Sequence, residues 1–204
     1  MILVVGATGS LGGRIVRGLL EQGKDVRVFV RRASPSAQMA QQGLAHTAQS
    51  LIDAGAQPAW GDLKDRASIE AAVAGVDTVI STANAVKRWG EDTLETVDRQ
   101  GTLDLIDAAR AAGVSRFLYA SVQGASADNP VRLFQIKDEC ETALRAGDMT
   151  YTIVQPSIFM EVWVGMMVGI PLMTQQTITL IGRGDHAHNF ISEQDVADYF
   201  IAMI

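Results

Sequence analysis

The feature that most constrains this sequence is a glycine-rich turn set between an apolar run and an amphipathic helix pattern. The chain opens Met1-Ile-Leu-Val-Val5 and continues Gly6-Ala-Thr-Gly9-Ser-Leu-Gly12-Gly13. Leu11, Ile15, Val16, Leu19 and Leu20 then share one helical stripe, and Gly23 is placed to end it. A continuous apolar strand is expected where a parallel sheet buries both faces. The turn after it predicts a phosphate cradle, because a helix N-terminus presents unpaired N–H groups and partial positive charge to a pyrophosphate. Gly6 permits the tight turn, Gly9 leaves room for the phosphate, and Gly12 lets helix pack against strand. Thr8 and Ser10 can add hydroxyl donors, with Leu11 beside them. A glycine triplet alone is a weak signal; its place at the start of a βαβ pattern makes it a dinucleotide fingerprint.

Strand-like and helix-like patterns then alternate. Further strands are expected at 26–30, 57–61, 77–82, 116–121 and 151–155, with helices at about 36–54, 63–74, 92–112 and 133–146. Six strands with intervening helices imply an α/β fold, a doubly wound, mostly parallel Rossmann sheet. Residues 1–155 read as the NADP-binding domain. Residues 156–204 read as a small substrate-region segment of the same structural unit, with a strand at 177–181 and a capping box at Ser192-Glu-Gln-Asp195 that opens a last helix. That helix pattern runs to Ile204 without a stop signal, which suggests that the native fold continues. On that reading Val196, Tyr199, Phe200 and Met203 form an exposed apolar face.

Net charge narrows the partners. At −6 the chain lacks the basic face that general nucleic-acid binding needs. Cys140 is the single cysteine, so no internal disulfide can form and a reducing cytoplasm fits. Its acidic neighbours should raise the thiol pKa, as for a packed helical thiol. The opening residues read as a first strand rather than a signal peptide. The apolar stretch 158–173 is interrupted by Glu161, Gly165, Gly169 and Pro171, too short and broken for a membrane span. His186-Ala-His188 with Asp185 offers too few ligands for a tetrahedral metal site, and residues 185–189 read as a loop near the substrate mouth.

The second strand ends in Arg31-Arg32. An acid near this point bonds the ribose 2′-OH of NAD, whereas arginine accommodates a 2′-phosphate. No acid lies near that strand tip in the sequence, so NADP(H) is the expected cofactor. One well-placed arginine contributes about 1.5–3 kcal/mol, or about 10- to 100-fold in favour of NADPH over NADH.

Gly6-Ala-Thr-Gly-Ser-Leu-Gly12, Gly61-Asp62-Leu63 and Tyr151-Thr-Ile-Val-Gln-Pro156-Ser-Ile-Phe159-Met-Glu161 together resemble the NmrA-like group of atypical short-chain dehydrogenases/reductases, over essentially the whole chain. That group includes NADPH-dependent quinone, dye and isoflavone-type reductases, and cofactor-binding regulators with little or no turnover. The resemblance implies Asp62 and Leu63 at the adenine, and Ser81, Thr82, Ala83 and Asn84 beside the ribose and nicotinamide. It implies Ser121 where the superfamily often has its catalytic serine, Lys137 on the nicotinamide ribose, and Pro156, Ser157 and Phe159 flanking the nicotinamide face. The chain also departs from the pattern. The usual Tyr-x-x-x-Lys would put tyrosine at position 133, where Leu133 stands, and none of Tyr119, Tyr151 or Tyr199 precedes a lysine by four.

Hydride transfer is the cofactor's own chemistry, so a protein that orients the nicotinamide and receives a self-stabilising acceptor such as a quinone needs less acid assistance. Lys137 can assist proton delivery through the ribose hydroxyl. Phe159, Met160, Val162, Trp163, Met166 and Met167 read either as a pliable lining for a flat apolar substrate or as ordinary core. Two functions stay open: an NADPH-dependent reductase of a hydrophobic carbonyl, quinone or related acceptor, and a non-catalytic NADP(H)-binding redox sensor, regulator or assembly factor with a protein partner.

Overall fold

The computed structural model describes residues 1–32, 46–85, 90–178, 182, 183, 185 and 187–204, except for the side chain of Met166. Strands β1 (Ile2–Val5), β2 (Val26–Val30), β3 (Gln57–Trp60), β4 (Thr78–Ser81), β5 (Arg116–Ala120) and β6 (Thr150–Val154) form one sheet in the order β3-β2-β1-β4-β5-β6. Every pairing in it is parallel. Side chains alternate across the sheet, which explains why β1 is apolar throughout. Leu3 and Val5 enter one core cluster while Ile2 and Val4 enter the other.

Helices cover both faces. On one lie α1 (Ser10–Glu21), α2 (Ala48–Asp53) and, from the end of the chain, α8 (Glu193–Ala202). On the other lie α3 (Arg66–Val73), a π-helical stretch Leu94–Gly101 that runs directly into α4 (Thr102–Ala111), and α5 (Arg132–Arg145). The long helix expected at 92–112 is therefore two winding types, capped at its start by a Thr93–Thr96 capping box. Of the helix expected at 36–54, the described part begins only at Ala48, where the Thr47 side chain accepts from Ser50 N; positions 36–45 lie outside the described residues.

Three expectations for the C-terminal segment need correction. The last helix does not expose its apolar face: Val196 and Phe200 are fully buried, and only Tyr199 stands out, at 59% exposed. Gly18 on α1 makes this possible, since a Cβ there would lie 2.4 Å from Ile201 Cδ1. Thr177 and Ile178 are not in a strand, and Thr179–Ile181 lie outside the described residues. The added pairing is instead β7 (Ile158–Phe159) with β8 (Phe190–Ile191). The third concerns the apolar stretch, which is not ordinary core. It forms α6 (Met160–Val164), a π-helical turn Gly165–Gly169 and α7 (Ile170–Met173), with Met160, Trp163, Leu172 and Met173 all exposed. No described helix is long and apolar enough to cross a membrane.

Candidate functional site

Strand order reverses between β1 and β4, and ligands of open α/β sheets bind at the carboxyl ends of such strands. The glycine turn lies there. Gly6 has φ +85°, and a Cβ on it would stand 2.7 Å from both Ala83 N and Thr82 Oγ1. A Cβ on Gly12 would lie 2.3 Å from the Gly6 carbonyl oxygen, so helix and turn touch through bare backbone. Gly9 is the N-cap of α1 and supplies no side chain to cap it. The first-turn N–H groups are thus left for a ligand, which is what a pyrophosphate cradle requires.

The hydroxyl donors are less free than the sequence suggests. Ser10 Oγ donates to the buried Glu193 carboxylate of α8, and Arg14 Nε lies 3.7 Å from the same carboxylate. Thr8 is buried, and its carbonyl accepts from His46 N at 3.0 Å. Leu11 and Gly12 are buried under the turn. Backbone, not Ser10, is what the turn offers an anion.

Toward the β2 side, a pocket is lined by residues that include Gly6, Thr8, Phe29, Arg31, Asp62, Leu63, Ala83, Asn84 and Asp92. It brings together most of the positions expected at the adenosine. It also overturns one premise. In sequence no acid stands near the strand tip, but in space two do. Arg31 Nη1 donates to Asp92 Oδ2 at 2.7 Å and lies 3.8 Å from Asp62 Oδ2. Lys64 Nζ donates to Asp92 Oδ1 at 2.6 Å. Burial pushes the Asp92 carboxyl up, but the hydrogen bonds from Lys64 and Arg31 outweigh it and bring it down to about 2. Arg31 Nη2 is buried without a partner. Arg32 instead stacks over the Trp60 ring, 5.2 Å from its centroid. Lys64 and Asp92 were missed by sequence reasoning; Lys64 follows Asp62-Leu63 and could have been suspected, whereas nothing local marks Asp92.

The carboxyl end of β5 carries buried charge. Lys137 on α5 is 5% exposed and donates from Nζ to the Ala120 carbonyl, 3.3 Å away at the end of β5. Its Nζ is 3.8 Å from Asp98 Oδ1 and 4.9 Å from the Tyr119 ring centroid. Burial lowers the Lys137 pKa, while Asp98, Cys140 and Glu141 pull it back up. Asp98, fully buried on the π-helical stretch, also accepts from Ala85 N at 2.8 Å. It therefore ties the lysine to the strand-four loop of Thr82, Ala83 and Asn84. Asp98 too was missed, because its burial appears only once the helix is placed.

Ser121 is buried and donates to Glu141 Oε1 at 2.5 Å, where Gln155 Nε2 also donates at 2.7 Å. A serine committed in this way cannot give the same proton to a substrate. Ser81 lies inside the sheet, 1% exposed, its Oγ without a hydrogen-bond partner, and does not face the cleft surface. Pro156 is buried; Ser157 and Phe159 are half-buried at the start of the segment that leads to α6. Leu133 stands one turn before Lys137, and Tyr119 is fully buried, so neither supplies an accessible phenol. Burial raises the Cys140 thiol to about 11, an inert packed thiol as expected. Asp185 pairs with Arg183 at 3.0 Å, and His186 lies outside the described residues.

Known proteins resemble this chain in sequence and fold. The chain is 32% identical to the photosystem II assembly factor Ycf39 of Cyanophora paradoxa, over 87% of its own length and 51% of that protein's. It is 33% identical to an NAD(P)H azoreductase of Xenophilus azovorans, over 79% of its length and 49% of the relative's. The chain thus spans about half the length of these curated relatives. Among solved structures, AtPrR2 with NADP+ and (+)pinoresinol superposes with a TM-score of 0.69 at 26% identity, covering 98% of this chain and 64% of that one. The profile of the NmrA-like family matches residues 1–204, and with the glycine turn and the 3-2-1-4-5-6 sheet the chain belongs to the NmrA-like family.

Proposed function

We propose that the protein is an NADPH-dependent reductase of a hydrophobic carbonyl, quinone or related acceptor. The observation that carries this is the placement of Lys137, a buried cation at the carboxyl end of β5, at the same edge of the parallel sheet as the uncapped α1 turn that follows β1. The cofactor fits the residues present. Gly6 and Gly12 leave backbone where any Cβ would collide, and Arg31 Nη2 is a buried donor awaiting an acceptor. NADPH, when bound, supplies the hydride. The α1 N-terminus would hold its pyrophosphate, Asp62 and Leu63 would flank the adenosine, and Lys137 would bond the nicotinamide ribose. Thr82, Ala83 and Asn84 would run beside that ribose, with Pro156, Ser157 and Phe159 on the nicotinamide face.

The acceptor takes two electrons as hydride and one proton. With no phenol at Leu133 and Ser121 held by Glu141, the proton comes from solvent or through Lys137 and the ribose hydroxyl. This favours acceptors that stabilise their own negative charge, and the exposed Trp163 and methionines of α6 and α7 suit a flat apolar one. The relatives that act on azo compounds and carry pinoresinol support the class without naming the substrate. A second reading is favoured by the same committed serine and missing phenol, and by the likeness to an assembly factor: an NADP(H)-binding regulator or assembly factor without turnover. Incubating the protein with NADPH and a panel of quinones and azo dyes, and following nicotinamide absorbance, separates the two. Acceptor-dependent oxidation of NADPH is the expected result; tight NADPH binding with no oxidation across the panel favours the regulator.

A further inference from the structure

We propose that Asp92 sets the cofactor selectivity of this chain, by holding Arg31 and Lys64 in an ion cluster that restrains the preference for NADPH and keeps NADH acceptable. The inference rests on the dinucleotide reading of the cleft and deepens it. Among the described residues, Arg31 and Lys64 meet near the carboxyl end of β2, and each makes its shortest charged contact with the same carboxylate, at 2.7 and 2.6 Å. Asp62 lies within 3.9 Å of both. Glu91, exposed, adds a third carboxylate 3.9 Å from Lys64 Nζ, so among the described residues these two cations already face three anions before any ligand arrives. The Asp92 side chain is only 7% exposed, so solvent screens the contacts little, and the carboxylate is ionised at any neutral pH.

A 2′-phosphate carries close to two negative charges near neutrality. To use Arg31 Nη1 or Lys64 Nζ it has to compete with Asp92 for them, and it approaches two carboxylates as it does so. Among the described residues, what remains uncontested is Arg31 Nη2, a buried donor, since Arg32 is turned onto Trp60. A ribose 2′-OH has the opposite experience. It is a donor as well as an acceptor, and carboxylates at this position are what NAD-type sites use. The cluster thus weakens the phosphate's advantage and gives the bare hydroxyl acceptors of its own.

The test is isothermal titration of the full chain with NADPH and with NADH, for the unmodified protein, Asp92→Asn and Lys64→Met. The unmodified protein should prefer NADPH by less than about tenfold, below the range expected of an unopposed arginine. Asp92→Asn keeps the shape and removes the charge; it should tighten NADPH by about tenfold, the size of one charge-assisted hydrogen bond released to the ligand, and leave NADH within about twofold. Lys64→Met should weaken NADPH several-fold and spare NADH. An Asp92→Asn protein whose NADPH to NADH ratio is unchanged overturns the proposal. One that loses NADPH affinity also overturns it, because Asp92 would then be ordering Arg31 for the phosphate rather than competing for it. If Asp92→Asn does not fold, Lys64→Met decides, and unchanged NADPH affinity there overturns the assignment. Failure of the dinucleotide reading itself looks different: the unmodified protein would then bind neither nucleotide.

Discussion

The two ends of the cleft handle charge in opposite ways. At the end nearest β2, Arg31, Lys64, Asp62 and Asp92 meet on loops, with Arg31 and Lys64 still 22% and 27% exposed, and each cation has more than one anion within 4 Å. At the other end Lys137 and Asp98 are buried, 3.8 Å apart, and hold further hydrogen bonds to backbone. A cluster in which each cation has several partners can give up one contact to a ligand and keep the others, at a cost that the neighbouring carboxylates set. A buried pair is stiffer, because removing one charge leaves the other in a low-dielectric setting with less compensation. Selectivity is accordingly tunable at the first end, and the positioning of reactive groups is stiff at the second.

The contrast is easiest to break at Lys137. Lys137→Met should reduce reductase turnover by about 100-fold or more if the lysine serves proton delivery. It should also cost roughly 3 kcal/mol of stability by removing a cation 3.8 Å from the buried Asp98 carboxylate. Adding Asp98→Asn should recover most of that stability, but none of the turnover. Chemical denaturation and steady-state rates on the three variants measure both. Full turnover in Lys137→Met would remove the lysine from the reaction, and independent, additive stability losses would mean that the pair is not coupled.

A smaller effect is expected at the rim. Arg31→Ala with Arg32→Ala should abolish the modest NADPH preference, a change of several-fold, while NADH affinity stays nearly constant. A loss exceeding about 100-fold would show that these arginines act unopposed, and would restore the simpler account drawn from Arg31-Arg32 alone.

The smallest effect concerns acid. Asp92 has a folded pKa of about 2 against an ordinary 3.8. Its contribution to stability is therefore fully present above the unfolded value and is lost as pH falls through the folded one. Thermal midpoints of the unmodified protein and Asp92→Asn should run parallel from neutrality down to about pH 5 and converge below about pH 4. A gap that stays constant down to about pH 2 would show that Asp92 is not the titrating group.

What could be read from the sequence was local or periodic. The turn at Gly6–Gly12 was legible because steric need and residue type coincide there, and β1 because both of its faces are covered. The sheet follows from strand–helix alternation with right-handed crossovers, whereas Lys137 was singled out by the family resemblance. What could not be read depends on distant partners. Arg31 and Asp92 are 61 positions apart, and Ser10 and Glu193 are 183 apart. The expected exposed face of the last helix failed for the same reason, since α1 covers it where Gly18 makes room for Ile201. Gly18 was the available clue, a missing side chain on an otherwise apolar stripe. The π-helical winding had no clue at all, because Leu94–Gly101 has the composition of any amphipathic helix.

That winding joins the two ends of the cleft mechanically. Val97 lines the adenosine pocket and Asp98, the next residue, grips the lysine end, while Gly101 lies so near Leu63 that a Cβ would come within 2.9 Å of it. One widened turn is thus a shared axle, with each end of the cleft hung on an adjacent residue. Deleting a single residue to restore ordinary helical winding would swing its neighbours by roughly 100°, and could not release Asp98 without also dragging Val97 out of the pocket. Evolution along this turn would have to change both ends of the cleft together, which leaves the loop-borne ions at the rim as the place where cofactor choice can drift by itself.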